Sequence, residues 1–438
     1  FICGIMALYR GDTGVHMKKS IVALLSLVMA ISLCSCGNSS QVAAPDADVV
    51  DEIETTEEPA KTELRLALRS GAYADVIKEC LPEFEQKYNV SCKIQSFSED
   101  ELYSAISEDA QNSEGLYDLC MVDGSWMAEF TDNQVLANLS DLGYRLDTDI
   151  IVGTTDICYV GNDLYLAPYY GNVTVLLFNK DNVKAAGYDT NIEYTLDDVY
   201  NICKTAEKSG KLGFIFRGDS KNNLVVDFLP ILLAHGGWVV DENNNPTIDT
   251  PEFKEAMQYY LKLLATGQAM TKDDMIAAID SGEAAMGIGW PGWYMPDEDT
   301  PAAYCALDGG YLEDGTQRTA SVYGVWTIGI PQNCTNKDLA KELVAYLMDK
   351  DVQKSTIAGG GVPCRYSSLQ DEAVLQDNPQ FEAVCVALET GIYRPVIADW
   401  TQFYTILGDE ISNIIDDNKT LDKGLKDAQS ELEALMNN

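Results

Sequence analysis

The chain has 438 residues, enough for roughly two to three domains, and its apolar and aromatic content suits a packed globular protein. Its formal charge is -39, from 69 acidic against 30 basic side chains. Nucleic-acid backbones and anionic membrane surfaces recruit Lys and Arg, so this charge excludes a nucleic-acid partner and electrostatic attraction to a membrane surface; it reads as a solvated surface, with an acidic cleft for a cation as the sharper alternative.

Phe1 to His16 reads as upstream sequence, because Met17-Lys18-Lys19 opens a signal-peptide pattern. The apolar run Ile21 to Leu33 is too short to span a bilayer with margin. It ends in Leu33-Cys34-Ser35-Cys36-Gly37, which resembles a bacterial lipobox. Residues 17–36 are therefore expected to be a lipoprotein signal peptide with Cys36 as the acylated residue; a plain cleaved secretory signal is the alternative. Residues 37–61 are rich in Ser, Ala, Asp, Glu and Thr, with Pro45 and Pro59, and read as a disordered tether. Nine cysteines follow without a CxxC pair, and the chain has two histidines, His16 and His235, which argues against a Cys/His zinc site. No cofactor is expected, and there is no GxSxG, HExxH or P-loop.

Glu63 to Arg69 alternates, with Leu64, Leu66 and Leu68 on one side, and predicts a strand. Ile77, Leu81, Phe84 and Tyr88 then recur at helical spacing, with Pro82 expected to kink the helix, and Val90, Cys92 and Ile94 alternate again. Such a β-α-β unit favours a parallel sheet covered by helices. Arg69, Ser70 and Tyr73 follow the first strand, where ligands sit in open α/β sheets. A further strand, Tyr117 to Val122, ends at Asp123-Gly124-Ser125-Trp126, which puts Asp123 and Trp126 at a similar place. For Trp126 a lid on the core competes with a ligand platform.

Tyr165 to Lys180 is the pivotal stretch. Val173 to Phe178 predicts a buried strand, entered from Pro168, Tyr169, Tyr170 and Gly171. Pro168 fixes φ and Gly171 permits backbone angles other residues avoid, which suits a crossing between two lobes with two aromatic rings beside it; an ordinary turn before a core strand is the alternative. Beyond it, Thr195 with Asp198 predicts a capped helix start, and Gly213 to Phe216 a strand followed by Arg217-Gly218-Asp219. Helices are predicted over Asn223 to His235, from Thr250-Pro251 to Gly267, and over Lys272 to Asp280. Glu283 to Trp290 predicts a strand, with Trp293 and Tyr294 past its end; Val322 to Ile330 predicts another, with Trp326 in mid-strand and in the core. Arg365 follows a flexible run of glycines. Two amphipathic helices close the chain, one carrying Trp400, Phe403, Leu407, Ile411 and Ile414.

The order of these parts resembles the extracellular solute-binding proteins of ABC importers, in particular the maltose-binding-protein-like, carbohydrate-binding group (family 1). Pro82 to Val90, Tyr117 to Leu139, Leu166 to Pro168 with Phe178 to Lys180, Gly282 to Trp290, Lys337 to Leu343 and Leu421 to Leu435 carry the resemblance, which covers nearly all of the chain from Leu64. It implies an α/β, two-lobed periplasmic-binding-protein-like (type II) fold with a hinge and an interlobe ligand cleft. The expected divisions are 62–168 and 324–370 in one lobe, 169–323 in the other, and 371–438 as C-terminal helices mostly of the second. It also implies a non-enzymatic, lipid-anchored protein on the extracytoplasmic face of a bacterial membrane. That protein delivers a carbohydrate to a permease with a cytoplasmic ATPase.

Trp126, Trp293 and Trp400 resemble family positions that contact sugar; for Trp400, on an amphipathic helix, core packing is the alternative. Tyr169, Tyr170, Trp290 and Tyr294 are further aromatic candidates, since pyranose faces stack on flat rings. Asp123, Arg217, Asp219 and Arg365 are the candidate partners for hydroxyls, with Arg69 and Tyr73 from the first strand end, and Tyr393 and Arg394 near the last crossing. A binding protein for polyamines or another cation on the same fold, and a secreted glycosidase using a pair such as Asp123 and Asp219, are the competing readings. Arg217 and Arg365 in a cleft poor in carboxylates are expected to favour sugar over a cation.

Overall fold

The structure, a computed structural model, describes residues 61–293, 300–311, 315, 317–397 and 399–437. The signal peptide, Cys36, nearly all of the tether and Tyr294 lie outside the described residues.

Two five-stranded sheets organise the described residues. The strands are β1 (Thr62–Arg69), β2 (Val90–Phe97), β3 (Leu119–Asp123), β4 (Leu166–Tyr170), β5 (Val175–Asn179), β6 (Leu212–Arg217), β7 (Gln268–Met270), β8 (Ala284–Gly289), β9 (Ala302–Cys305) and β10 (Trp326–Gly329). The first sheet runs β2-β1-β3-β10-β4 and the second β9-β5-β8-β6-β7. In the first, β1 pairs parallel with β2 and β3, and β10 pairs antiparallel with β3 and β4. In the second, β8 pairs parallel with β6 and antiparallel with β5.

Local chemistry sets the helices. Helix α1 (Ala72–Tyr88) accommodates Pro82 and ends on Asn89 in the left-handed conformation. Helix α2 (Glu99–Asp109) begins with a capping box between Ser98 and Glu101, and Thr195 with Asp198 repeats the device at a later helix. Helix α3 (Lys221–Ala234) is largely apolar and mostly buried, and carries Pro230 inside it. Helix α4 (Pro251–Leu264) has its proline at the first position, after a Thr250 cap. Helices α5 (Trp400–Ile415) and α6 (Leu421–Met436) pack against each other and, with α3 and α4, cover the second sheet.

The hydrophobic interior divides accordingly. One cluster gathers Leu64, Leu66, Phe84, Met121, Leu139 and Ile328 around the first sheet, and the other Phe178, Phe214, Phe228, Phe253, Ile288 and Phe403 around the second. Residues Val374 to Leu388 belong to the first cluster and Ile397 onward to the second, so the part of 371–438 before residue 390 packs with the first lobe and the helices from Trp400 with the second.

The three crossings lie side by side. Val173 bridges Tyr323, and the two-residue strands Val322–Tyr323 and Ile392–Tyr393 pair parallel. Gly324 donates to the Asn172 carbonyl at 2.9 Å, and Ile392 to that of Ser321 at 3.1 Å. Gly171 sits in this bundle, but its φ is not positive. Its value is smallness: a Cβ there would meet Leu388 at 2.9 Å and the Val362 and Pro363 carbonyls at 3.2 Å. The expected freedom of its backbone angle gives way to close approach of chain segments.

Candidate functional site

Residues of both lobes line a cavity of about 450 Å³, within the range usual for small-molecule sites. The carboxyl ends of β1, β3, β4 and β6 deliver Arg69, Asp123, Tyr170 and Arg217 to it, and Trp290 follows the end of β8. This is the edge of an α/β sheet at which ligands bind. Strand β10 runs antiparallel, so its first residue, Trp326, pairs with Asp123 and reaches the same edge. Two larger hollows, about 740 and 780 Å³, lie by β7 at the edge of the second sheet and beside the crossing strands. Neither is walled by the strand ends of both sheets.

Aromatic rings face the cavity from both lobes. Tyr73 packs against Tyr170 at 4.6 Å and Trp326 at 5.6 Å between ring centroids. Burial, opposed by Arg69, pushes the Tyr73 hydroxyl up to about 12. Tyr170 donates its hydroxyl to the Gly360 carbonyl at 2.5 Å. On the other lobe Trp293 lies under two cations, Arg217 at 4.9 Å and Lys272 at 5.6 Å. Trp290 is packed over Gly324, where a Cβ would fall 2.7 Å from its ring. The lobes also meet here: a Cβ on Gly292 would lie 2.0 Å from the Tyr170 hydroxyl.

The polar groups are mostly held by partners. Asp123 is clamped by Arg394, whose Nη2 donates to both carboxylate oxygens at 2.7 and 2.8 Å, and it also accepts from the Ser125 amide and hydroxyl. Arg217 is fixed by fully buried Asp227, which takes its backbone N–H at 2.9 Å and its guanidinium, while Nη1 donates to Asn223 at 2.8 Å. Burial pushes the Asp227 carboxyl up despite the guanidinium beside it. Asp219, exposed at the rim, accepts from Asn223. Glu99, the first residue of α2, is pushed up to about 7 by burial and by Asp123, against the pull of Arg394 and Arg69.

Two cavity-lining amides are incompletely satisfied. Asn172, 3% exposed, donates Nδ2 to the Tyr73 hydroxyl at 3.1 Å, but its buried Oδ1 accepts nothing. The Oδ1 of Asn222 is likewise buried without a donor. Each such group costs about 1–3 kcal/mol until a donor arrives.

The structure brings together Arg69, Tyr73, Asp123, Tyr170, Arg217, Asp219, Trp290 and Trp293. Four other expected residues lie elsewhere. Trp126 is drawn inward by the turn after β3 and packs on Tyr103, Phe130 and Trp326, so it buttresses the platform instead of forming it. Tyr169 is skipped by the ladder between Pro168 and Tyr170, at an irregularity against β10, and its ring is buried near Cys80 and Tyr346 instead of lining the cavity. Arg365 is a buried structural clamp on Asp147, Asp149 and the Met348 carbonyl. Trp400 shares the buried stripe of α5 and stacks on Phe403 at 5.5 Å.

Trp326, read as core in mid-strand, begins β10 and lines the cavity, because the run from Val322 to Ile330 breaks at Gly324–Val325. Glu99, Asn172, Asn222 and Lys272 were not singled out by the sequence. Three of them stand at helix starts, for which the caps Ser98, Ser220 and Thr271 were the available signal.

Two lobes, three adjacent crossings and a cleft furnished from both sides define a ligand-binding protein of the bilobed periplasmic type. The chain belongs to the bacterial extracellular solute-binding protein family, whose model matches residues 47–354. The family and fold are those of non-catalytic solute-binding proteins.

Over 282 residues the chain is 25% identical to a probable amino-acid ABC transporter periplasmic-binding protein of Sinorhizobium fredii, covering 63% of this chain and 65% of that relative's length. It is 23% identical over 413 residues to an arabinooligosaccharide-binding protein of Halalkalibacterium halodurans, covering 86% and 90% of the two chains. Among solved structures, maltose-bound MalE3 of T. maritima matches with a TM-score of 0.74 at 23% identity, over 85% of this chain and 100% of that one.

Proposed function

We propose that this protein is the cargo-capturing subunit of an ABC importer for a carbohydrate. It is anchored through Cys36 on the outer face of a bacterial membrane. Its lobes close about the three crossings, and the cargo passes to a permease driven by a cytoplasmic ATPase. The observation that carries the reading is the pairing of aromatic rings on both lobes with buried amide oxygens, on Asn172 and Asn222, that lack donors. A saccharide supplies both complements: apolar ring faces and many hydroxyl donors.

The names of two relatives support it, one for arabinooligosaccharides and one bound to maltose. The sheet order, with a returning antiparallel strand between β3 and β4, supports the type II arrangement. The cleft is not the carboxylate-poor one expected, since Glu99, Asp123 and Asp219 line it, and Arg217 and Arg394 are paired; the basic side chains that count against a polyamine are Arg69 and Lys272. Ligand binding across both lobes favours the closed form by differential affinity. The lipobox Leu33–Cys36 supports the anchor, and C36S is expected to release the protein from membrane fractions.

The test is a thermal-shift screen of the purified protein against saccharides, polyamines and amino acids. At 100 times Kd a ligand adds about 2.7 kcal/mol, a rise of about 3 °C for a chain of this length. A shift confined to saccharides supports the reading. A shift by polyamines or amino acids alone refutes it.

A further inference from the structure

Arg69 lies in the cleft with its recognition edge unused. Its Nη1 donates to Ser70 Oγ at 3.0 Å and to the Phe97 carbonyl at 3.4 Å. Among the described residues Nε and Nη2 have no partner, and no carboxylate comes within ion-pair distance of the side chain. Those two N–H groups are the parallel donors that take a carboxylate side-on. The guanidinium lies 5.9 Å from the Trp326 ring, so the free fork borders an aromatic platform.

Immediately after it, α1 begins at Gly71, whose φ of 83° needs glycine and which offers no side-chain cap. Ala72 and Tyr73 also line the cavity and, among the described residues, their backbone N–H groups donate to no partner; they open a 17-residue helix whose positive end lies there. On the facing lobe Lys272 repeats the pairing of cation and ring over Trp293, and among the described residues the carboxylate oxygen within ion-pair distance of it is 4.0 Å away on Asp273, which is 91% exposed.

The chain is overwhelmingly acidic, yet three of its eight arginines line this cavity; Arg217 is held by Asp227 and Arg394 by Asp123, which leaves Arg69 as the uncommitted one. The opposing charges are largely spent. Asp123 is taken by Arg394, and Asp219 is solvated at the rim.

We propose that the cargo is an acidic saccharide whose ring carboxylate is received by the Arg69 fork and the start of α1, with Lys272 closing on it from the other lobe. The inference rests on the carbohydrate reading above and narrows it. A monoanion fits better than a phosphate dianion, because Glu99, Asp123 and Asp219 line the same space and each added negative charge meets them.

The experiment is titration calorimetry of the purified protein with matched pairs: glucose and glucuronate, galactose and galacturonate, and short oligomers of each, together with the 6-phosphates. One uronate is expected to bind at least about tenfold tighter than its neutral partner, the worth of a charged, two-point hydrogen bond. R69Q is expected to collapse that preference below about threefold, R69K to restore part of it, and K272Q to halve its logarithm. R69Q should melt within about 2 °C of the wild type, since Arg69 is only partly buried.

Equal or tighter binding of the neutral partners overturns the inference and leaves the carbohydrate reading standing. So does an undiminished preference in R69Q. A tighter 6-phosphate overturns the carboxylate assignment. Binding of polyamines or amino acids with no saccharide bound overturns both readings.

Discussion

The Arg217–Asp227 pair offers the sharpest test of how the cleft is supported. Asp227 is 0% exposed and Arg217 is 5% exposed, and the carboxylate takes three N–H groups of the same residue. D227N keeps the shape and removes the charge. It leaves a largely buried guanidinium without its counter-ion, which costs about 3–5 kcal/mol for a buried pair. For a chain of this length the entropy of unfolding is of order 0.8 kcal/mol/K, so Tm should fall by about 4–6 °C in calorimetry.

The exposed pair Lys254–Asp422, with side chains 42% and 66% exposed, supplies the contrast. D422N should move Tm by about 1 °C or less. In the double variant R217M/D227L apolar packing replaces the pair, and stability should return while ligand affinity does not, since Arg217 also lies against Trp293. A D227N protein that melts within 1 °C of the wild type, or a double variant that binds normally, refutes this account of the pair.

Three other outcomes follow from the same geometry. W293A and W326A each remove a ring from one side of the cleft and should weaken saccharide binding by about 5- to 50-fold in calorimetry, with little change for W400A beyond lost stability. Unchanged affinity in W293A defeats its assignment as a platform. G292A puts a methyl 2.0 Å from the Tyr170 hydroxyl and should cost at least about tenfold in affinity, with partial recovery in G292A/Y170F, which removes the clashing oxygen and keeps the ring; a G292A protein of normal affinity shows that the lobes need not meet there.

Glu99 gives a pH signature. Its folded pKa, about 7, stands above the ordinary 4.5, so between those values the folded protein holds more protons than the unfolded chain and stability falls as pH rises. Asp123 and Asp100 push it up, Arg394 and Arg69 pull it down, and Tyr73 and Tyr404 face it as neutral hydroxyls. E99Q should gain about 1–2 kcal/mol over the wild type at pH 8 and nearly nothing at pH 5, once the span is discounted for partial exposure. Equal gaps at both pH values in thermal melts exclude this origin.

Strand ends were the legible part of the site. Parallel strands point their carboxyl ends one way, so Asp123, Arg217 and Trp290 could be placed from alternation and turn residues alone. Adjacent Tyr169 and Tyr170 could not be separated without the register, because a shift of one residue exchanges their faces. Trp326 was hidden by the antiparallel return of β10, which puts a strand's beginning where its neighbours end. Trp400 was misleading for the opposite reason: any Trp in an amphipathic helix faces either a core or a ligand, and periodicity does not distinguish them. Glu99, Lys272 and Asn222 are polar residues at helix starts, a place usually explained by solvent and capping.

The nine cysteines of the described residues are all free, and every one but Cys92 is buried. Burial lifts their thiols, Cys92 to about 12, so at neutral pH they stay protonated and slow toward alkylating reagents. That makes the described residues a quiet background for labelling. New cysteines at exposed Asp100 and Asp273, next to Glu99 and Lys272 on opposite lobes, would take up dyes selectively, and their separation would record each opening and closing of the molecule as cargo arrives and leaves.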